Sequence, residues 1–355
     1  MRAAVFYGKR DVRLESVDGP AQPGPQQVLV KVASAGICGT DLHEYAAGPI
    51  IVSRDPHPYT GSQLPQILGH EFSGVVLATG RDVTHVRTGD RVSIQPQVFP
   101  QRGFYAERGI GHLSEHDATI GLHWPWGGFG EIALVNDYNV YALPEDLTLE
   151  QGAVIEPAAV AMYAVDRARL LLGETVFIAG GGPIGVLTAM AARASGASAI
   201  YISEFSAQRR ALIDALDVAT LCFDPREHNV LELSKRCTES AAGFDAAFEC
   251  VGNEHALNDC VASIRRQGRV VQVGLHLGNA SVSPTTWALK DITIEGVVCY
   301  PVTIWPRAMR LIQTGRFPVE TVVTRRIALE EIVQGGFERL LNKDCSELKI
   351  LVNYP

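Results

Sequence analysis

The run TVFIAGGGPIG, residues 175–185, decides how the middle of this chain folds. An apolar stretch, TVFIA, leads without a linker into clustered glycines, and the alanine-rich PIGVLTAMAARAS follows directly. Strand, glycine turn and helix in immediate succession are the opening of a βαβ unit. Gly180, Gly182 and Gly185 stand as G-x-G-x-x-G between strand and helix. Glycines there permit a tight turn and close approach of a pyrophosphate to the unpaired N–H groups of the helix N-terminus. The next apolar run, SAIYISE, ends in Glu204, nineteen residues after Gly185. An acid at that spacing takes the hydroxyls of a ribose and repels a 2′-phosphate, so NAD is favoured over NADP. The candidate cofactor-binding residues are Gly180, Gly182, Pro183, Ile184, Gly185 and Glu204. Arg209, a helical turn further on, either reaches the adenosine end of the cofactor or lies on a solvated helix face.

Working outward, the same alternation continues. SAQRRALIDAL reads as a helix, FDAAFECVG and GRVVQVGL as strands, and the texture holds over about 158–297. Apolar strands alternating with helices predict a parallel sheet covered on both faces. Before residue 150 the texture differs, with short β-rich runs such as QQVLVKVAS and DRVSIQP punctuated by glycine and proline. This predicts a β-rich, partly open barrel with long loops. The opening MRAAVFYGKRDVRLE alternates apolar and polar residues around Gly8-Lys9, as a β-hairpin would, and lacks the apolar core of a signal peptide. From Cys299 mixed texture returns and ends in a strand, LKILVNY, suited to completing the first unit.

Composition narrows the function classes. The formal net charge is −8 with no lysine or arginine block, which argues against nucleic acid or an anionic membrane as partner. No apolar run approaches the length that spans a bilayer. The cysteines at 38, 222, 237, 250, 260, 299 and 345 are scattered and never form CxxC, the usage expected of reduced thiols in the cytoplasm.

Three short segments carry metal-ligand types: GICGTD with Cys38, GHEFSG with His70 and Glu71, and VIEPAAV with Glu156. Zinc takes cysteine, histidine and carboxylate ligands, and a catalytic zinc keeps one position open. Each has a plain structural reading alone: a buried thiol, a loop histidine, a carboxylate in a helix beside Pro157. Glu156 weakens that reading, because it interrupts the apolar GAVIEPAAVAMYAV and a carboxylate there needs a partner.

GICGTDLHEY, GHEFSGVV, VIEPAAV and GGGPIG, in this order, resemble the zinc-dependent medium-chain dehydrogenase/reductase family over essentially the whole chain. The long segment between Cys38 and His70, with HEYAAGPI and HPYTG, is similar to its (R,R)-2,3-butanediol dehydrogenase branch, with polyol dehydrogenases close by. The resemblance implies an α/β chain: a GroES-like, β-rich catalytic domain (1–157 and 298–355) around an inserted Rossmann domain, a doubly wound parallel sheet (158–297). It implies Cys38 and His70 as zinc ligands, with Glu71 or Glu156 supplying the carboxylate. Asp41 is expected to accept the other imidazole N–H of His70. Thr40 would contact the substrate oxygen and start a proton relay ending at His43 on the surface. The implied activity is hydride transfer between a small alcohol or ketone and NAD, with a vicinal diol and its α-hydroxy ketone, 2,3-butanediol and acetoin, as the leading pair. Sorbitol, another polyol or another secondary alcohol is the alternative, and a zinc-free NAD(P)-binding sensor or structural protein of the same fold the more distant one. A homo-oligomer, dimer or tetramer, is implied as well. Trp124, Trp126 and Phe129 either narrow the substrate pocket or pack a loop.

The chain departs from the family at one place. Many members bind a second, structural zinc through Cys-x2-Cys-x2-Cys-x7-Cys. Aligned on Gly109, those positions here are Pro100, Gly103, Ala106 and Ser114. The lobe is therefore expected to lack that zinc, leaving one catalytic ion per chain, and to be held by apolar contacts of Phe99, Phe104 and Tyr105. A replacement site from His112, Glu115, His116 and Asp117 is the alternative.

Overall fold

The computed structural model describes every residue except Lys343. The chain divides into two compact units, one of residues 1–156, 301–313 and 323–355, the other of 157–300 and 314–322.

In the first unit a hairpin of β1 (Arg2–Gly8) and β2 (Asp11–Ser16) precedes the long β3 (Gln27–Gly36) and α1 (Gly39–Ala47). Short β4 (Gln66–Ile67) then leads to β5 (Glu71–Thr79) and β6 (Arg91–Ile94). A lobe bounded by β7 (Gln97–Val98) and β8 (Ala118–Thr119) follows, then β9 (Ile132–Asn136), β10 (Val140–Ala142) and α2 (Leu149–Ala168). Alternation of buried and less buried side chains along Gln27–Val32 places Val28, Val30 and Val32 in the core.

The second unit begins within α2, after Glu156. Its elements are β11 (Thr175–Ala179), α3 (Pro183–Ala194), β12 (Ala199–Ser203), α4 (Ala207–Ala215), β13 (Leu221–Phe223), α5 (Val230–Cys237) and β14 (Phe244–Glu249). They continue as α6 (Glu254–Ser263), β15 (Ile264–Gln272), α7 (Pro284–Lys290) and β16 (Thr293–Gly296). The strands pair in parallel in the order β13-β12-β11-β14-β15-β16. This is the doubly wound order, whose sequence reverses between β11 and β14 and opens a ligand crevice beyond the strand C-termini.

The chain then returns to the first unit through α8 (Ile304–Gln313), β17 (Val323–Ile327) and β18 (Lys349–Asn353). There β18 pairs antiparallel with β3 and parallel with β17, in a sheet ordered β10-β6-β5-β3-β18-β17, with β9 also on β3. The last strand of the sequence thus lies beside the first long one, and β5, β3 and β18 are neighbours.

Candidate active site

Those three strands carry the metal-ligand types to one place. Gly36, the last residue of β3, is paired with Glu71 at the start of β5 and with Leu351 of β18. Cys38 follows two residues later at the head of α1, and His70 immediately precedes β5. One ligand atom each from Cys38, His70 and Glu71 lies within 4.8 Å of the others. Glycine at 36 leaves room for the carboxylate: a Cβ there would stand 2.0 Å from Glu71 Oε2, an oxygen that Lys349 holds in place. His70 and Glu71 are buried and Cys38 is half-buried.

Asp41, fully buried, has two tasks. Its Oδ2 accepts from the Cys38 backbone N–H at 2.9 Å, which fixes the start of α1. Its Oδ1 faces His70 Nδ1 at 3.6 Å, too long for a hydrogen bond, and both atoms are buried without another hydrogen-bond partner. Nδ1 is thus directed at a carboxylate and Nε2 is left for a metal. Burial opposes charge on His70, but Cys38 and Asp41, with Glu156, outweigh it and raise the imidazole well above its ordinary value. Burial likewise raises the Asp41 carboxyl, against the pull of His70 and the Cys38 N–H. A buried pocket of thiol and carboxylates that draws a proton onto its histidine is a pocket that favours a cation. Thiol, imidazole and carboxylate in reach of one another are a zinc donor set.

Glu156 is buried in α2 and lies outside the 4.8 Å cluster. Its charge nevertheless acts on His70 and on Lys349, which places it in the same electrostatic neighbourhood. Lys349 is the residue that sequence reasoning missed. Its Nζ donates to both Glu71 oxygens, at 2.7 and 2.8 Å, and to Ile37 O at 2.9 Å. The available signal was a lysine at the head of a buried apolar strand, the same kind of interruption that singled out Glu156. Thr40 and His43 sit three residues apart on α1, hence on neighbouring positions of one face, with Thr40 half-buried and His43 exposed.

In the second unit Gly180 takes φ +98°, open to glycine, and Gly182 caps α3 with Pro183 in its first turn. A Cβ on Gly185 would lie 1.9 Å from Gly180 O, whereas one on Gly182 would meet nothing within 4 Å. Gly185 therefore serves helix–strand packing, and Gly182 leaves open space at the helix N-terminus, with Ile184 on the first turn. Glu204 directly follows β12, and its Oε2 accepts from Gly181 N–H at 3.0 Å, tying the acid to the glycine loop. Arg209 is half-buried and its backbone N–H is capped by Ser206 Oγ. The neighbouring Arg210 makes the polar contacts, to Glu204 O, Phe205 O and Asp224.

The lobe between β7 and β8 differs from the expectation in one respect. Phe99 is buried against Gly111, where a Cβ would fall 2.2 Å from its ring, and lies 6.1 Å from Tyr138. Phe104, however, is 61% exposed and contacts Tyr105 and the Arg108 guanidinium at the surface, so it does not hold the lobe. His112 is buried, while Glu115 and His116 are exposed. Among the described residues the His112, Glu115, His116 and Asp117 side chains do not form a three-ligand cluster. Phe129 is a core residue, 1% exposed and edge-on to Phe337, and Trp124 and Trp126 pack partly buried against the same core. No helix among the described residues is long and apolar enough to cross a membrane.

Comparison with known proteins agrees with this geometry. Residues 24–145 match the model of the alcohol dehydrogenase GroES-like domain and residues 183–314 that of zinc-binding dehydrogenases. The chain is 36% identical to the (R,R)-butanediol dehydrogenase of Bacillus subtilis (strain 168), over 99% of both sequences. It is 33% identical to the sorbitol dehydrogenase of Ovis aries, covering 98% of this chain and 95% of that one. The crystal structure of 2R,3R-butanediol dehydrogenase from Bacillus subtilis superposes with a TM-score of 0.92 at 34% identity, covering 100% and 99% of the two chains.

Proposed function

We propose, for a chain that belongs to the zinc-binding alcohol dehydrogenase family, the NAD-dependent interconversion of a vicinal diol and an α-hydroxy ketone, with 2,3-butanediol and acetoin as the leading pair. The observation that carries the substrate reading is the full-length likeness to (R,R)-butanediol dehydrogenases, at 36% and 35% identity. Sorbitol dehydrogenases at 32–33% identity favour a polyol as the second reading. A zinc-free NAD(P)-binding protein is disfavoured, since Cys38, His70, Glu71 and Glu156 would have no use in it.

Cys38 and His70 would hold one zinc ion, with Glu71 or Glu156 as the carboxylate, in a catalytic domain of 1–157 and 298–355 around a nucleotide domain of 158–297. Bound there, zinc would supply the charge that acidifies an alcohol hydroxyl, and a nicotinamide would supply the hydride acceptor. Asp41 keeps the His70 ring in its ligating orientation. Thr40 would take the hydroxyl proton from the substrate while passing its own hydroxyl proton on, and the relay would run through the cofactor ribose to His43, which releases a proton to solvent from the exposed side of α1. Glu204 receives the cofactor ribose, so NAD is preferred to NADP, while Gly180, Gly182 and the α3 N-terminus hold the pyrophosphate. The lobe is read as metal-free, the protein as a cytoplasmic homo-oligomer.

A substrate panel tests this: each stereoisomer of 2,3-butanediol, acetoin in the reverse direction, and sorbitol, each with NAD and NADP. The expected result is the highest kcat/KM for butanediol with NAD, and a narrower NAD/NADP gap in Glu204→Ala. A polyol preferred about tenfold overturns the substrate, and equal use of NADP by the unmodified chain overturns the role of Glu204.

A further inference from the structure

Among the described residues Lys349 is the only lysine or arginine that is buried, 3% exposed at the head of β18. An ammonium group carries three donors, and Ile37 O and the two Glu71 oxygens occupy them. The side chain is thus fully committed. It joins the backbone one residue before Cys38 to the carboxylate of Glu71, itself a member of the candidate zinc cluster with Cys38 and His70. Burying a lysine is costly unless it is paired, and here both oxygens of the buried Glu71 carboxylate pair with it. A site shaped only to bind zinc tightly would not place a cation against a zinc ligand, because like charges a few ångströms apart repel.

We propose that Lys349 is a positioning residue that restrains Glu71: by holding both carboxylate oxygens it keeps Glu71 a weak, exchangeable zinc ligand. It thereby lowers the negative charge given to the metal and leaves a coordination position available for substrate. The register makes the arrangement possible. Gly36 gives the carboxylate room, β5 and β18 flank β3, and Lys349 reaches Glu71 across Gly36.

The inference rests on the reading of Cys38, His70 and Glu71 as a zinc site, and the test separates the two. Zinc-loaded wild type, Lys349→Met, Lys349→Arg and Lys349→Met/Glu71→Gln are mixed with excess chromogenic chelator, and zinc release is followed in time. Their cobalt-substituted forms are compared by visible absorption. Loss of the ammonium should let Glu71 close on the metal, slowing release by on the order of tenfold and changing the cobalt spectrum. Lys349→Arg should release zinc at nearly the wild-type rate, and the double variant should lose the slowing. A lysine with a merely structural role predicts the opposite sign, because a loosened site sheds zinc faster. Faster or unchanged release from Lys349→Met, with zinc bound in the wild type, overturns the inference alone; a wild type that binds no zinc overturns the site as well. Should Lys349→Met fail to fold, Glu71→Gln carries the decision. It leaves the ammonium uncompensated beside the metal and must speed release, and an unchanged rate overturns the inference.

Discussion

His70 and His112 lie at similar depth in the same unit, 6% and 2% exposed, and their surroundings push them in opposite directions. Around His70 the thiol of Cys38 and the carboxylates of Asp41 and Glu156 overcome burial and raise the imidazole. At His112 burial dominates and lowers the imidazole to about 4. Burial alone therefore does not make a metal site. What distinguishes the first position is anionic charge converging from the head of α1 and from α2, and burial holds the second imidazole neutral.

The largest expected effect separates the two positions directly. Cys38→Ser should take bound zinc from about one ion per chain towards none. It should also lower kcat/KM by on the order of 10³-fold, the loss of several kcal/mol of charge stabilisation. His112→Gln should leave zinc content and turnover near wild type. Metal analysis of dialysed protein checks both, and a second equivalent of zinc that disappears with His112 would make the lobe a metal site after all.

A smaller effect is expected along α1. A positioned proton-transfer group contributes ~10²–10⁴-fold, but His43 is exposed, where water or buffer can stand in for it. Thr40→Ala should therefore cost more in kcat than His43→Ala, and imidazole buffer should restore part of the His43→Ala rate. If His43→Ala proves as inactive as Cys38→Ser, with no rescue, the solvent-end role is wrong and His43 acts on the substrate or the metal itself.

The same contrast explains what could be read from the sequence. The glycine loop was legible because its signal is local: Gly180, Gly182, Gly185 and Glu204 belong to adjoining elements of one βαβ unit. Cys38, His70 and Glu156 stood out as residue types that their segments did not require. A lysine heading an apolar strand marked Lys349 as unusual, but its partner was not legible, since that depends on β18 pairing with β3 across the whole length of the chain. Read locally, LKILVNY is only a strand. Phe104 misled for a related reason. An aromatic residue in a loop suggests packing, but whether it turns inward depends on which neighbour fills the space, and at Gly111 that place is taken by Phe99. Phe129 had two readings from sequence, and its burial against Phe337 decides for the core.

The smallest expected effect is one of stability, and it follows from the lobe's histidine. The ordinary histidine value is 6.5, and burial lowers His112 to about 4 in the folded chain. As pH falls below about 6.5 the unfolded chain takes up a proton at this position, while the folded chain does not until about 4. Unfolding is thereby favoured progressively across that window, and the stability His112 permits at pH 7 is lost towards pH 4. Asp117 works the other way. Burial raises its carboxyl to about 6, so between about 6 and its ordinary 3.8 the folded chain binds the extra proton, and acidification there favours folding. Removing the two groups should accordingly move the acid side of the stability profile in opposite directions. His112→Gln should lose less stability than wild type between pH 7 and 4.5, by about 2 kcal/mol once solvent screening is allowed for. Asp117→Asn should lose more. Urea unfolding midpoints measured through that range decide the matter, and profiles parallel to wild type in both variants would mean that water or a neighbouring charge already offsets the burial of these side chains.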